Sequence, residues 1–461
     1  MQGAVTRAAP RSRLARLGDA MRRRRRMIVG IQWAVVLVYA LLVAVPVFLP
    51  LPPAGATLLS NLTLFAQFMF WGIWWPFVIL SMLLVGRVWC GVFCPEGALT
   101  EFASRHGLGR AIPHWMRWSG WPFVAFVLTT VYGQLISVYE YPKAVLLILG
   151  GSTIAAIGVG LVYGRNNRVW CRYLCPVSGV FGLLAKVAPL HFRVDRDAWK
   201  RYPGRPTRID CAPLIDVRHM SGAAQCHACG RCSGHRDAVS LAARAPNAEI
   251  LAARSQRVGT ASALLLVFGI LGVASGAFQW SVSPWFVALR QSAATWLVDH
   301  QSFRLLQSDA PWWLLTHYPE AGDAFSWLDG IAIVVYIAGY ATLAGGASWL
   351  ALLGAARLAG RGHYDWKSLS LGLVPAAGAG LFVGLSMTTL SHLRAEGWVL
   401  SGAGALRAAI VAGATLWSAW LGARIVAGSA AAWQRRAAAL GLYLAPLAIA
   451  CANWYLVFAA W

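Results

Sequence analysis

Eight of the nine cysteines fall into two patterns whose spacing suits metal binding. In the first pattern, Cys226, Cys229 and Cys232 are separated by two-residue gaps, and Cys211 lies 15 positions before Cys226. Three thiolates at C-x2-C-x2-C spacing can occupy three corners of an iron-sulfur cubane, and one remote cysteine can ligate the fourth iron. The spacing therefore predicts one 4Fe-4S cluster on these four cysteines.

A structural zinc site is the main alternative for this pattern, because four thiolates also make a closed tetrahedral site. Zinc modules usually pair two C-x2-C knuckles, whereas this chain has a triplet and a single cysteine, which favours iron-sulfur. A second ferredoxin cluster would need a cysteine at position 236, which is Arg236. The nearby His227 and His235 are expected to remain outside the ligand set, since four thiolates are already available.

The second pattern is the sequence R-V-W-C-x3-C-P, which occurs at residues 87–95 and again 81 positions later at 168–176. Two cysteines four positions apart on a helical turn face the same way, and the proline prevents the helix from continuing. Each copy follows a pair of apolar stretches, so the repeat predicts two equivalent units related by an axis. Such a pair brings four cysteines to one face, namely Cys90, Cys94, Cys171 and Cys175.

Three interpretations of this repeated motif remain open. The two halves could share a second iron-sulfur cluster or another thiophilic metal, since together they supply four thiolates. They could instead act as redox-active dithiols. Finally, they could be structural cysteines at helix ends. Shared metal binding is favoured because the repeat itself brings the halves together.

The elements that position these cysteines are predicted from composition. The chain of 461 residues is 58% hydrophobic and only 12% charged, which is typical of a polytopic membrane protein. Its net charge of +23 does not indicate a nucleic-acid partner, because 35 of the 40 Lys and Arg fall in five segments that alternate with nearly uncharged ones. This alternation is the pattern of the positive-inside rule.

The fold class predicted is an all-α polytopic membrane protein with about nine transmembrane helices and a small cytoplasmic ferredoxin-like segment. The predicted domains are a basic N-terminus (1–27), a four-helix unit with the twin motifs (28–176), the iron-sulfur segment (177–258) and a five-helix region (259–461). The predicted spans are 28–49, 62–85, 121–138, 144–163, 259–279, 330–353, 370–391, 404–423 and 437–458.

The charge distribution also predicts orientation in the inner (plasma) membrane of a bacterium. Five consecutive arginines, Arg22 to Arg26, directly precede the first apolar stretch, so the N-terminus is expected to be cytoplasmic and to contact anionic lipid. The eight patterned cysteines then lie on the cytoplasmic side, where thiols stay reduced. The weakly basic segment 280–329 is expected outside.

Haem is the other redox cofactor to consider, and its candidate ligands are His300, His317 and His392. A bis-histidine haem needs two histidines on facing helices, and only His392 is placed convincingly at a predicted span. Haem is therefore not expected.

The repeated W-C-x3-C-P motif and the Cys211 to Cys232 pattern resemble the membrane iron-sulfur proteins of the NapH, NosR and CcoG group. The resemblance covers residues 62–240 and implies electron transfer to respiratory or metal-handling partners. The chain differs in lacking the cysteines of a second ferredoxin cluster, and no region of that group is assigned to residues 259–461.

These observations favour an iron-sulfur electron carrier that passes electrons between quinol or a cytoplasmic donor and a redox partner protein. One alternative is a metal-ion or cofactor reductase whose acceptor binds at the twin motifs. A second alternative is a metal-site assembly or transport factor. Neither the donor, the acceptor nor the direction of electron flow is indicated by the sequence.

Overall fold

A computed structural model describes residues 12–53, 55–205, 207–253, 258–360 and 365–460. Within these residues, eight helices are long and apolar enough to cross a membrane. They are Arg25–Phe48, Leu62–Val85, Pro142–Tyr163, Thr260–Val282, Trp327–Ala359, Trp366–Ala395, Ala403–Ala427 and Trp433–Ala460. The predicted all-α membrane fold is confirmed.

The remaining predicted span, 121–138, corresponds to a shorter apolar helix, Trp121–Leu135. Its 15 residues extend about 22 Å, which is less than the roughly 30 Å hydrocarbon core of a bilayer. The other shorter helices include Arg13–Arg23, Pro95–Arg105, Val169–Tyr173, Ser178–Val187, Arg196–Arg201, Ala248–Leu251 and Pro284–Asp299.

The helix Trp366–Ala395 is the central element of the bundle. In its most apolar 18-residue stretch, 94% of the residues are buried inside the protein, far more than in the first helix. Small residues permit this burial: a side-chain carbon on Gly378 would lie 3.0 Å from Leu184 and 3.1 Å from Leu83. Helices with small residues at their contacts can approach closely in a membrane. The central helix thus joins the C-terminal region to the helices that carry the cysteine motifs.

The cysteine-rich segment lies at the end of helix Pro142–Tyr163 that leads into residues 164–168. There the backbone N–H of Arg168 donates to the carbonyl of Ala212, with an N···O distance of 2.7 Å. We call this end of the bundle the cysteine face.

The segment 280–329 packs at the opposite end of the bundle. The backbone N–H of Thr316 donates to the carbonyl of Leu135 over 2.8 Å, and the hydroxyl of Tyr141 donates to Asp323 over 2.8 Å. Tyr141 also stacks on Tyr318. The two segments therefore occupy opposite ends of the helices, as the charge pattern predicts for segments on different sides of a membrane.

Residues 188–205 and 207–253 form a small layer on the cysteine face. Its antiparallel strands Leu190–Val194 and Val239–Ala243 pair with Phe192 opposite Leu241. These two side chains are buried together with Val217 and Val239 in a compact apolar cluster. A second two-stranded ribbon, His317–Tyr318 with Asp323–Ala324, belongs to the opposite face.

Helix Ser178–Val187 belongs to the main core of the bundle, although the sequence predicts it as part of the iron-sulfur segment 177–258. Val180, Leu183 and Leu184 are at most 2% exposed and pack with core residues of the long helices. The cysteine-rich layer is therefore attached to the bundle by a buried apolar helix.

Candidate metal centres

The two copies of the repeated motif adopt matching backbone conformations at their second cysteines. The N–H of Cys94 donates to the carbonyl of Trp89 over 2.9 Å, and the N–H of Cys175 donates to the carbonyl of Trp170 over 3.0 Å. These bonds are related by the same 81-residue offset as the sequence repeat. They close one wide helical turn in each copy, so both motifs present their cysteine pairs in the same way.

Proline has an additional role in the first copy. Pro95 is the first residue of helix Pro95–Arg105, where a missing N–H costs nothing. Cys94 caps this helix, and its Sγ accepts the N–H of Gly97 at 3.3 Å. The thiol is thus held at the start of a helix, where the helix dipole favours negative charge.

The structure brings the four motif cysteines together around one cavity. Cys90, Cys94, Cys171 and Cys175 all line a space of about 210 Å³. A site for a single water needs only about 10–15 Å³, so this space can hold a group larger than one ion. Most of the remaining wall is aromatic and aliphatic, which keeps water away from the thiols.

The thiols around this cavity favour the neutral form. Burial raises the pKa of Cys171 to about 12, and the Arg168 guanidinium offsets only part of this rise. Burial and the neighbouring charges of Glu96 and Cys171 also raise the pKa of Cys175. A metal centre supplies the positive charge that deprotonates coordinating thiols. By donor type, the four thiols therefore suit an iron-sulfur cluster.

The side chains of Arg87 and Arg168, the first residues of the two motifs, form hydrogen bonds with residues outside their own motif copies. Arg168 is 1% exposed, donates to the carbonyl of Cys90 in the other copy, and bonds Glu101 with an Nε···O distance of 2.8 Å. Arg87 is 4% exposed and donates to Ser178 and to the carbonyl of Ala224, both at 2.9 Å. The two arginines fasten the copies to each other and to the cysteine-rich layer.

Glu101 forms ion pairs with three arginines next to that layer. It accepts bonds from Arg168 at 2.8 Å and from Arg231 and Arg25 at 3.1 Å each. Burial alone would raise the pKa of Glu101, but the charges of Arg168 and Arg231 outweigh it and the pKa is lowered. The carboxylate therefore remains ionised. Its ion pairs connect helix Arg25–Phe48, the second copy of the repeat and the segment of the cysteine triplet.

The four cysteines of the ferredoxin-like pattern also converge. Burial raises the pKa of Cys232, and the charges of Cys226, Cys229 and Cys211 raise it further. Burial likewise raises the pKa of Cys226 to about 12, with Cys229 and Cys211 adding to the effect. All four are half-buried, and three pack against the apolar cluster of the layer.

The N-terminal helix Arg13–Arg23 covers this second group of cysteines. A side-chain carbon on Gly18 would lie 2.9 Å from the hydroxyl of Ser233, and the hydroxyl of Ser233 bonds Asp19 over 2.9 Å. Gly230, with a φ of +75°, lies directly beneath Met21. The helix thus shields the loop around Cys229 and Cys232 from solvent.

The two groups of cysteines meet at a backbone contact. A side-chain carbon on Gly91 would lie 2.2 Å from the carbonyl oxygen of His227 and 2.9 Å from the Cα of Cys229. His227 is 2% exposed and lines the cavity of the twin motifs. Its Nδ1 has no hydrogen-bond partner among the described residues. Burial, together with Arg87 and Arg168, lowers the pKa of His227, so the ring is neutral.

Sequence reasoning missed two carboxyl groups of this region, Glu96 and Glu101. Glu96 lines the twin-motif cavity and accepts a hydrogen bond from Trp170 at 3.2 Å. Burial raises its pKa. One sequence signal was available: Glu96 directly follows the first C-P pair, whereas Val177 follows the second. The two copies of the repeat therefore differ at the position whose carboxyl group lines the cavity in the first copy.

Outside these groups, the histidines considered for haem lie towards the opposite face. His392 lines a separate cavity together with Tyr141 and Asp323. His300 stacks on Trp296, and His317 belongs to the small ribbon. Within the described ranges, no three His, Cys, Asp or Glu side chains stand close enough to hold a single metal ion.

Comparison with known proteins identifies the region that carries the repeat. Residues 67–119 and 148–195 match the 4Fe-4S binding domain family. Each matched stretch contains one copy of the C-x3-C-P motif, while Cys211 and the later triplet lie outside both. The predicted resemblance to membrane-bound iron-sulfur proteins is confirmed.

Two curated relatives share part of this chain. YccM of Escherichia coli, named as a candidate electron transport protein, is 26% identical over 183 residues, covering 34% of this chain and 50% of YccM. The regulatory protein NosR of Pseudomonas aeruginosa is 27% identical over 184 residues, covering 35% of this chain and 25% of NosR. The chain thus spans at most half the length of these relatives. No solved structure matches it.

Proposed function

We propose that the chain is a membrane electron-transfer protein with two adjacent iron-sulfur sites. One 4Fe-4S cluster is held by Cys211, Cys226, Cys229 and Cys232, and a second cluster is held by the twin motifs. The observation that carries this proposal is the backbone contact of Gly91 with Cys229, which joins the two groups of thiols without an intervening side chain. Two redox centres whose ligand segments touch are suited to electron passage between them.

The second site is proposed to hold iron-sulfur because of its cysteines and its family match. Cys90, Cys94, Cys171 and Cys175 surround a common cavity, and the 4Fe-4S family match falls on their two motifs. When bound, a cluster supplies one-electron storage. Burial and hydrogen bonds around cluster sulfurs tune the reduction potential.

The residues around the thiols have three roles in this proposal. Arg87 and Arg168 bring buried positive charge close to two sets of thiolates. The aromatic wall of the cavity excludes water, which protects iron-sulfur sites from loss. Glu101 holds the arginines in place through its three ion pairs. Together these residues offset the negative charge of the thiolates, exclude water and hold the arginines in place.

The proposal also includes an orientation, a membrane and a route for the electrons. The cysteine face is proposed to be cytoplasmic and the membrane to be the bacterial inner membrane, since the cysteine face carries most of the Lys and Arg. Electrons are proposed to come from quinol or a cytoplasmic donor and to leave to a redox partner protein. Exposed apolar side chains on the outer helices contact lipid.

The test is an EPR spectrum of membranes that contain the full chain, reduced with dithionite and then mixed with candidate acceptors. The proposal predicts reduced-cluster signals that disappear with a quinone or a protein acceptor. Reoxidation by metal ions alone would instead indicate a metal-ion reductase. Absence of any cluster signal in iron-replete membranes would contradict electron transfer and favour an assembly factor.

A further inference from the structure

A surface cavity of about 440 Å³ opens beside Cys211 on the cysteine face. Its wall includes Arg165, Asn166, Arg208 and Asp210. Cys211 is the ligand that stands apart from the triplet, and it lies at the edge of the layer, in the cavity wall. A molecule seated here would be next to one corner of the proposed cluster.

The rim of this cavity carries two exposed arginines, and two more are exposed on the neighbouring segment of the chain. The cavity wall itself carries Arg165 and Arg208. Arg105 ends the helix whose Ser104 accepts the N–H of Asn166 at 3.0 Å, and the N–H of Arg110 donates to Val162 at 3.0 Å. All four arginines are exposed.

The acidic groups of the cavity do not cancel this charge. Asp210 is paired with Arg231 through two hydrogen bonds and with Arg25 at 3.3 Å. Asp216 is paired with His219 at 2.6 Å. Because Asp210 already faces two arginines in the protein, and four exposed arginines lie at or beside the cavity, the surface around Cys211 is positive overall.

We propose that this basic rim is the docking surface for an acidic, soluble one-electron carrier protein. Complementary charges steer such encounters and set their salt dependence. In each encounter the carrier loses one electron and the cysteine-rich segment gains one, and no covalent bond is made or broken. This inference rests on the proposed function, since only a redox centre at Cys211 makes the position useful. Anionic lipid headgroups are less suited, because the cavity is built on the cysteine-rich layer and its wall contains a cysteine.

The test uses the full chain in nanodiscs of neutral phosphatidylcholine and an acidic bacterial flavodoxin as the probe. The Kd is measured from the fluorescence of labelled flavodoxin at low ionic strength and at about 0.15 M. The double variant Arg165→Glu and Arg208→Glu is expected to weaken binding about tenfold or more at low ionic strength. It is also expected to remove most of the salt dependence.

The matched control reverses two exposed charges on the same layer, Arg196→Glu and Arg201→Glu. Their helix packs on His235 through Trp199 at a ring distance of 5.2 Å and does not line the cavity. This control should bind flavodoxin within about twofold of the wild type. Equal weakening by both variants, or no flavodoxin binding by the wild type, would overturn the proposal.

Measurements of bound phospholipid and of iron distinguish failure of the docking proposal from failure of the proposed function. If the double variant instead loses co-purifying anionic phospholipid and flavodoxin does not bind, the rim is a lipid site and the docking proposal is wrong. Iron content and reduction by dithionite are measured on the same samples. A wild type without iron would refute the proposed function, whereas the binding comparison does not depend on bound iron.

Discussion

Gly91 lies directly against Cys229, so the repeated membrane motif and the ferredoxin-like loop share a backbone contact. A methyl group at position 91 would collide with the carbonyl of His227 at 2.2 Å, and backbone cannot move as a flexible side chain does. Gly91→Ala is therefore expected to displace the loop and to lower cluster content. Iron and acid-labile sulfide should fall to about half of the wild-type value.

The control for this variant is Gly158→Ala. Gly158 lies on helix Pro142–Tyr163, and a side-chain carbon there would meet no atom within 4 Å. Its iron content should equal that of the wild type. If Gly91→Ala also retains full iron and an unchanged EPR spectrum, the close contact has no role in holding the loop.

The twin motifs are expected to act as one site. Cys94→Ser and Cys175→Ser each remove one thiol from the common cavity, so each should cause the same defect. The double variant should be no worse than either single variant, because ligands of one centre are strongly non-additive. The measurement is the EPR amplitude of the second cluster in purified protein.

The control in this series is Cys451→Ser. Its Sγ lies 3.2 Å from the hydroxyl of Thr415, far along the chain from both cysteine groups, so its replacement should leave iron content unchanged. Additive and spectroscopically distinct defects for Cys94→Ser and Cys175→Ser would show that the two halves are independent.

Glu249 holds the cysteine-rich layer against helix Ser178–Val187 through ion pairs whose strength depends on pH. It pairs with Lys186 at 2.9 Å and with Arg244 at 2.5 Å, and it accepts the N–H of Ala223 at 2.9 Å. Burial would raise the pKa of Glu249, but the charges of Lys186 and Arg244 outweigh it and the pKa is lowered. A carboxylate with a lowered folded-state pKa contributes stability above its unfolded pKa of about 4.3.

Glu249→Gln is therefore expected to destabilise the protein by about 3 kcal/mol at pH 7, as expected when one partner of a buried ion pair is removed. The difference from the wild type should shrink as pH falls below about 4, because the wild-type carboxylate then becomes protonated. Thermal denaturation of both proteins in the same detergent provides the measurement. A pH-independent difference would mean that Glu249 acts through packing alone.

The orientation of the two faces can be tested with reporter fusions. A fusion after residue 240 should be active only as a cytoplasmic reporter, and a fusion after residue 310 only as an exported reporter. The physical reason is the concentration of Lys and Arg in the segments of the cysteine face. Equal cytoplasmic activity of both fusions would contradict the predicted topology.

The sequence predicted those features that depend on local spacing. The 81-residue repeat implied that Cys90 and Cys171 occupy equivalent positions, and the structure places both on one cavity. The apolar stretches predicted the long helices because a bilayer requires about 20 apolar residues for each span. Both signals can be read along the chain without knowledge of tertiary contacts.

The features that were missed depend on contacts between distant residues. The partners of Glu101 include Arg25 and Arg231, which are 76 and 130 positions away, so no local pattern reveals their ion pairs. Helix Ser178–Val187 is too short to be recognised as a membrane element, yet it is buried in the core. The contact of Gly91 with Cys229 likewise arises only when the layer folds onto the bundle.

The most direct test of two adjacent iron-sulfur sites is an iron and acid-labile sulfide count on the full chain, purified without oxygen. The proposal predicts about eight irons for the wild type and about four after all four twin-motif cysteines are changed to serine. The residual four irons should be lost when Cys211→Ala is added. A wild type with about four irons, unchanged by the twin-motif substitutions, would contradict the second site and the two-centre account.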